Sequence, residues 1–217
     1  QNLDDKLATY LIKHYLHISE MDKVNNIKIT NEAEKKYKAA VERLKQGKPI
    51  QYIIGQVDFY GNIFKVNKGV LIPRFETEEL VENTIKYAEI FFNGEPSIID
   101  IGTGTGVIGI TLKKKLPKSK IVAIDISDEA VNIATQNAKL LEANINIIKS
   151  DLLTSMLSST EKYDIIISNP PYIKMNEEIM PTVRLNEPPI ALYGGISGVE
   201  VYEKIMIQAR KVLKKRS

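Results

Sequence analysis

Residues 97 to 109 read Ser-Ile-Ile-Asp-Ile-Gly-Thr-Gly-Thr-Gly-Val-Ile-Gly. An apolar run stops, glycines follow at alternate positions, and a second apolar run begins at once. The first run is too short for a helix and carries three isoleucines, which suit a buried strand. The glycines permit a tight reversal, and the residues after them suit a helix. The pattern predicts a strand over Ser97–Ile101 and a helix over Val107–Leu116. A chain built this way must cover both faces of its strand, because continuous apolar strands belong to parallel sheets packed between helices.

The same alternation continues downstream. Lys120–Ile124 reads as a strand ending at Asp125, and Ser127 as the cap of a helix running to about Glu142. Ile145–Ile148 and Tyr163–Ile167 read as strands, and about Gly198 to Leu213 as a final helix. Strands separated by helices of this length imply a doubly wound α/β fold. Only four parallel strands are counted before the chain closes on Lys214-Lys215-Arg216-Ser217. The expectation is therefore a C-terminally incomplete sheet whose last strands are missing.

The first part of the chain has a different period. Leu3, Leu7, Tyr10, Leu11 and Leu16 form a helical stripe. Asn31 with Glu34 reads as a capping box for a second helix carrying Ala33, Tyr37, Ala40, Val41 and Leu44, which stops at Gly47-Lys48-Pro49. Tyr52-Ile53-Ile54, Asp58-Phe59-Tyr60 and Ile63 to Val66 read as extended runs punctuated by Gly55, Gly61 and Gly69, a β-hairpin linker. A helix over about Glu76 to Phe92 follows. These readings divide the chain into a partial helical domain (1–48), a hairpin linker (49–74) and an α/β domain (75–217).

Composition narrows the function classes. There is no cysteine, which removes disulfides, thiol nucleophiles and zinc–thiolate sites and suits a reducing cytoplasm. No apolar run approaches the roughly 18 residues of a membrane span, and the first residues do not resemble a signal peptide. The net charge of +3 is too small to argue for nucleic acid without clustering. The densest cluster, Lys113-Lys114-Lys115 with Lys118 and Lys120, reads as a solvated helix end, as do Lys211, Lys214, Lys215 and Arg216. His14 and His17 read as surface or partly packed residues, and no acidic or histidine cluster suggests a metal.

Three motifs carry chemistry. Gly102-Thr103-Gly104-Thr105-Gly106, at a strand-to-helix turn, offers close backbone approach and free N–H groups to a ligand. Asp125 ends the next strand roughly 20 residues beyond the glycines, where an acid can bind ribose hydroxyls. The pair reads as a nucleoside-cofactor site, and both dinucleotide enzymes and methyltransferases remain open to it. Asp151, just after the third strand with Leu152 beside it, is placed to reach an adenine amino group. The third motif is Ser168-Asn169-Pro170-Pro171-Tyr172-Ile173. Two prolines remove two backbone donors and stiffen the turn, while their carbonyls remain acceptors. A planar NH2 group needs acceptors in its plane, which the Asn169 side-chain oxygen and the Pro170 carbonyl can supply. Tyr172 can stack on its flat face. Such a site suits an amide or an aromatic amine.

Asn-Pro-Pro-Tyr after a strand resembles the signature of methyltransferases that act on planar NH2 groups: glutamine amides, adenine N(6) and cytosine N(4). Gln51-Tyr52-Ile53-Ile54-Gly55, Phe59-Tyr60-Gly61, Val70 to Glu78, and Asn186-Glu187-Pro188-Pro189-Ile190-Ala191-Leu192 with Gly194, Gly195 and Gly198 narrow the resemblance to the PrmC/HemK family of protein-(glutamine-N(5)) methyltransferases. The resemblance runs from about residue 3 to 213. It implies a Rossmann-like S-adenosylmethionine-dependent methyltransferase sheet with a small N-terminal helical domain. It also implies a cytoplasmic enzyme acting on the Gly-Gly-Gln loop of peptide chain release factors, with no membrane and no direct nucleic-acid partner. Carried over, Asp100 would face the methionine end of the cofactor, Gly102 to Gly106 would hold that end, Asp125 the ribose, and Asp151 and Leu152 would border the adenine. Asn169 to Tyr172 would hold the glutamine, with Asn169, Pro170 and Tyr172 catalytic and Asn169 also bordering the cofactor. Arg74, in a segment beside the site, would contact substrate. Phe75 stands where family members usually carry proline. An adenine N(6) DNA methyltransferase is the alternative, weakened by the absence of a basic recognition segment; a non-catalytic binding module is a third reading.

Overall fold

The computed structural model describes residues 5–16 and 29–215. His17, Leu3 and Arg216 of the sequence reading lie outside the described residues. Helices α1 (Asp5–Leu16), α2 (Asn31–Lys45) and α3 (Ile50–Ile54) form a small layer of their own. Leu11, Ala40 and Ile53 are its buried centre, with Tyr37, Val41 and Leu44 packed around them. The α2 cap lies one residue earlier than expected: the Thr30 hydroxyl accepts from the Ala33 amide, and Asn31 is already helical. Its far end closes as expected at Gly47, whose N–H donates to Leu44 O while that of Lys48 donates to Arg43 O, the paired pattern that satisfies the last carbonyls of a helix.

Tyr52-Ile53-Ile54 is helical, not extended. A short apolar run has no period of its own. Here Pro49 starts a turn of helix, Ile53 drops into the α1–α2 core, and Gly55 ends it in the left-handed region. The hairpin follows: β1 (Gln56–Phe59) pairs antiparallel with β2 (Asn62–Lys65). Its two-residue turn, Tyr60-Gly61, has φ of 51° and 71°, the mirror-image turn that matches strand twist. Phe59 and Phe64 are buried edge to face.

The main sheet contains β3 (Ser97–Ile101), β4 (Lys120–Asp125), β5 (Asn146–Lys149) and β6 (Ile165–Ser168) in the order β5-β4-β3-β6, all parallel. Helices α4 (Glu76–Phe92), α5 (Val107–Lys115) and α6 (Asp128–Leu140) contribute to a core with Ile98 and Ile121 on one face. On the other face α8 (Glu200–Val212) contributes Ile205 and Val212, packed with Ile99, Ile101, Val122 and Ile124. Alternate residues of β3 thus enter opposite cores, as the period of a strand requires. Past α8, Leu213 forms a parallel bridge to Tyr163, and the Lys214 N–H donates to Tyr163 O. The backbone therefore starts along the free edge beside β6.

Between β6 and α8 the structure adds elements the sequence pattern did not announce: β7 (Ile173–Lys174), α7 (Pro181–Asn186) and β8 (Tyr193–Gly195), with β7 and β8 pairing parallel. The lysine run at the end of α5 is engaged locally. Lys113 donates to the Pro117 and Ser119 carbonyls, Lys114 to Asn62, and Lys118 pairs with Glu95.

Candidate active site

The glycine turn and the proline turn leave the carboxyl ends of adjacent strands, β3 and β6, where open α/β sheets gather their ligands. Gly102 and Gly104 have φ of 68° and 56°. A side chain there would be strained, and a Cβ built on either meets nothing, so it would stand in the open cleft that both residues line. The turn is braced from beneath. Asp100 is wholly buried; its Oδ2 accepts from the Thr103 hydroxyl at 2.6 Å and the Gly109 amide at 3.1 Å, while Oδ1 has no partner among the described residues. Burial pushes this carboxyl up to about 6. Gly109 leaves room for it: an added Cβ would lie 3.3 Å from Asp100 Oδ2. The structure thus places Asp100 under the turn and not on the cleft wall. Thr103, Thr105 and Gly106 are likewise absent from that wall.

Asp125 does line it. One carboxylate oxygen accepts from the Gly104 amide at 2.9 Å and the other from the Ser127 amide at 3.0 Å. Each oxygen keeps a further lone pair for a ligand hydroxyl. Burial raises the Asp125 carboxyl against those two hydrogen bonds. A second brace comes from Asn137 on α6, fully buried. Its side chain pairs with both the N–H and C=O of Lys65 and donates to the Thr105 carbonyl. The hairpin, α6 and the glycine turn are held together by one amide.

The cleft encloses about 220 Å3. Its wall includes Gly102, Gly104, Asp125, Ile126, Asp151 and Leu152 on one side and Asn169, Pro170 and Pro171 on another. Leu152 sits at φ 47°, rare for a non-glycine side chain. A second cavity of about 260 Å3 holds Arg74, Tyr172, Ile179, Met180 and Val183. The two share Leu71, Asn169, Pro170 and Ala191 as a common wall. Asn169 and Pro170 therefore stand where the contents of one cavity would meet those of the other.

Three supports of this junction were not visible in the sequence. The Asn169 Nδ2 donates to the Thr77 hydroxyl at 3.1 Å. Glu187, its side chain almost entirely buried, accepts from the Ile72 amide at 3.1 Å and pairs with Arg74 at 2.6 Å. Arg74 thus reaches the second cavity already paired with an acid. Gly194 and Gly198 press on the proline turn, since a Cβ on either would come 2.4 Å from the Pro171 or the Tyr172 carbonyl. The last pair belongs to a stretch that matched by resemblance alone; spacing offers no signal for contacts this far apart in the chain.

The residues present fit a nucleoside cofactor with an amino-acid tail: a turn whose missing side chains leave a cradle, acidic acceptors at two strand ends, and apolar walls for a flat base. Among the described residues no acidic or histidine group is arranged to hold a metal, and no helix is long and apolar enough to cross a membrane. Fold and site together define an S-adenosylmethionine-dependent α/β methyltransferase. Family models agree: a methyltransferase small domain matches residues 77–186 and a PrmC N-terminal domain residues 2–55. Release factor glutamine methyltransferases are similar along the chain, at 36% identity in Bacillus cereus (99% of this chain, 77% of that one) and 43% in Streptococcus pneumoniae (86% and 66%). The chain belongs to this family. Among solved structures, a Pyrococcus furiosus methyltransferase (19% identity, TM-score 0.50, 82% of this chain and 73% of that one) shares the fold. So does the hMettl16 catalytic domain in complex with an RNA hairpin (16%, TM-score 0.54, 97% and 74%).

Proposed function

We propose that this chain transfers a methyl group from S-adenosylmethionine to the side-chain amide nitrogen of the glutamine in the Gly-Gly-Gln motif of peptide chain release factors. The observation that carries this reading is the wall of Asn169 and Pro170 shared by the two cavities. Gly102, Gly104, Asp125, Asp151 and Leu152 would hold the cofactor in the first cavity, with Asp100, Thr103, Thr105 and Gly106 keeping the turn in shape. Bound there, S-adenosylmethionine supplies an electrophilic sulfonium methyl.

An amide nitrogen is a poor nucleophile because its lone pair is shared with the carbonyl. Asn169 Oδ1 and the Pro170 carbonyl would each accept one of its two N–H bonds and fix the nitrogen toward the first cavity. Among the described residues no backbone N–H donates to the Pro170 carbonyl, and Pro170 lines both cavities. As positive charge develops on the nitrogen, both acceptors bind it more tightly, which is what lowers a barrier. One amide proton is lost to water. Tyr172, largely exposed, would cover the amide plane from the second cavity, and Arg74 with its Glu187 partner would shape that cavity's rim.

The surroundings support a protein substrate over a nucleic acid. Phe75, Tyr172, Met175, Met180, Leu185 and Ile190 are all large, apolar and exposed in the segments bordering the second cavity. Aromatic and methionine side chains mark protein-binding surfaces, whereas nucleic-acid surfaces are basic. Residues 1–48 would add docking area, with 49–74 as the linker and 75–217 as the catalytic part, and the work would take place in the cytoplasm. The test offers labelled S-adenosylmethionine to the full-length protein with a purified release factor and, separately, duplex DNA. Label located by mass spectrometry on the glutamine of Gly-Gly-Gln is expected. Label on DNA alone would replace this reading with adenine N(6) methylation.

A further inference from the structure

We infer that Thr77 is a positioning residue that anchors the Asn169 side chain at the wall shared by the two cavities, with its oxygen left for the substrate NH2. The inference rests on the reading of Asn169 as acceptor for the target NH2. Thr77 lies in the first turn of α4, nearly buried, and its hydroxyl accepts from Asn169 Nδ2 across 92 residues of sequence. A side-chain amide offers an oxygen at one end and an NH2 at the other. With its NH2 on Thr77, Asn169 keeps its oxygen for the shared wall. The anchor limits the positions the side chain can take there, which is what an oriented acceptor needs.

Thr77 is itself held in place. Its backbone N–H donates to Arg74 O at 3.1 Å, and Arg74 is paired with the buried Glu187. The helix start that carries the hydroxyl is therefore tied through Arg74 to the wall of the second cavity.

The test uses the full-length protein and a release factor. Thr77→Val keeps the shape of the side chain and removes the hydroxyl; Thr77→Ser keeps the hydroxyl. Thr77→Val is expected to lower kcat by about 10- to 100-fold, less than loss of the oriented group itself, with KM for the release factor and cofactor affinity unchanged. Thr77→Ser should restore the rate. A wild-type rate in Thr77→Val overturns the inference. So does loss of cofactor binding and thermal stability in that variant, which would make Thr77 a packing residue. A wild-type protein that methylates no glutamine overturns the underlying reading, and this inference with it.

Discussion

Two turns leave adjacent strands of one sheet, and they are built on opposite principles. The turn after β3 is made of glycines and has its backbone in the left-handed region, and it uses up its own N–H groups: those of Gly102 and Thr103 on Ile124 O, that of Gly104 on Asp125 and that of Gly106 on Thr103 O. The turn after β6 is made of Asn169 and two prolines and presents oxygens. The first is open because it lacks side chains; the second is stiff because its rings fix the backbone. A ligand with hydroxyl groups suits the first, through Asp125 at the end of the neighbouring strand, and one with an NH2 group suits the second. The difference teaches that one turn makes its site by the side chains it leaves out and the other by the backbone it holds stiff.

The largest break in that contrast comes at the accepting turn. Asn169→Ala should reduce transfer by about a thousandfold, the scale of one lost preorganised group, while cofactor affinity stays within a few-fold by isothermal titration. Loss of both together would mean that Asn169 serves the glycine side as well.

The next effect probes what lies under the glycine turn. Asp100 ordinarily ionises near 3.8 and is raised to about 6 by burial. Its folded value lies above its unfolded one, so its contribution to stability is complete below pH 3.8 and lost as pH rises through about 6. A shift of this size corresponds to about 3 kcal/mol. Urea unfolding of wild type and Asp100→Asn between pH 4 and 7 should show that slope in the first and not in the second. Parallel slopes would mean the carboxyl is not titrating there.

Gly106→Ala tests the turn's backbone. Gly106 has φ 84°, and an added Cβ would lie 2.7 Å from Ile110 Cδ1 and 3.2 Å from Ala134 Cβ. A loss of about 2 kcal/mol in chemical denaturation is expected. The smallest effect falls on Asp125→Asn, which keeps one acceptor and loses the charge. Cofactor affinity should weaken about tenfold, or roughly 1.4 kcal/mol, with kcat at saturating cofactor little changed.

The glycine turn was readable because everything that makes it is local. Gly102 to Gly106 follow directly on β3, and Asp125 ends the neighbouring strand. The helix over Glu76–Phe92 was legible for the same reason. Tyr52-Ile53-Ile54 misled because five residues hold too little pattern, and the decision belonged to Leu11 and Ala40 far upstream. The accepting turn was half legible. Its residues stood in the sequence, but Thr77, Glu187 and the glycines that hold them are partners across long separations, and no spacing rule connects them.

Glu187 has one more consequence, for the order in which the molecule comes together. Its hydrogen bond to the Ile72 amide closes a loop of 115 residues, and closing long loops is slow relative to forming neighbouring strands and helices. The sheet can assemble from adjacent βα units before this bond exists. The second cavity cannot, because Glu187 also holds Arg74 on that cavity's wall, and the segment after Glu187 supplies Ala191 and Leu192 to the same cavity. During refolding, sheet signal should therefore return first and methyl transfer last, and Glu187→Gln should lengthen the gap between them.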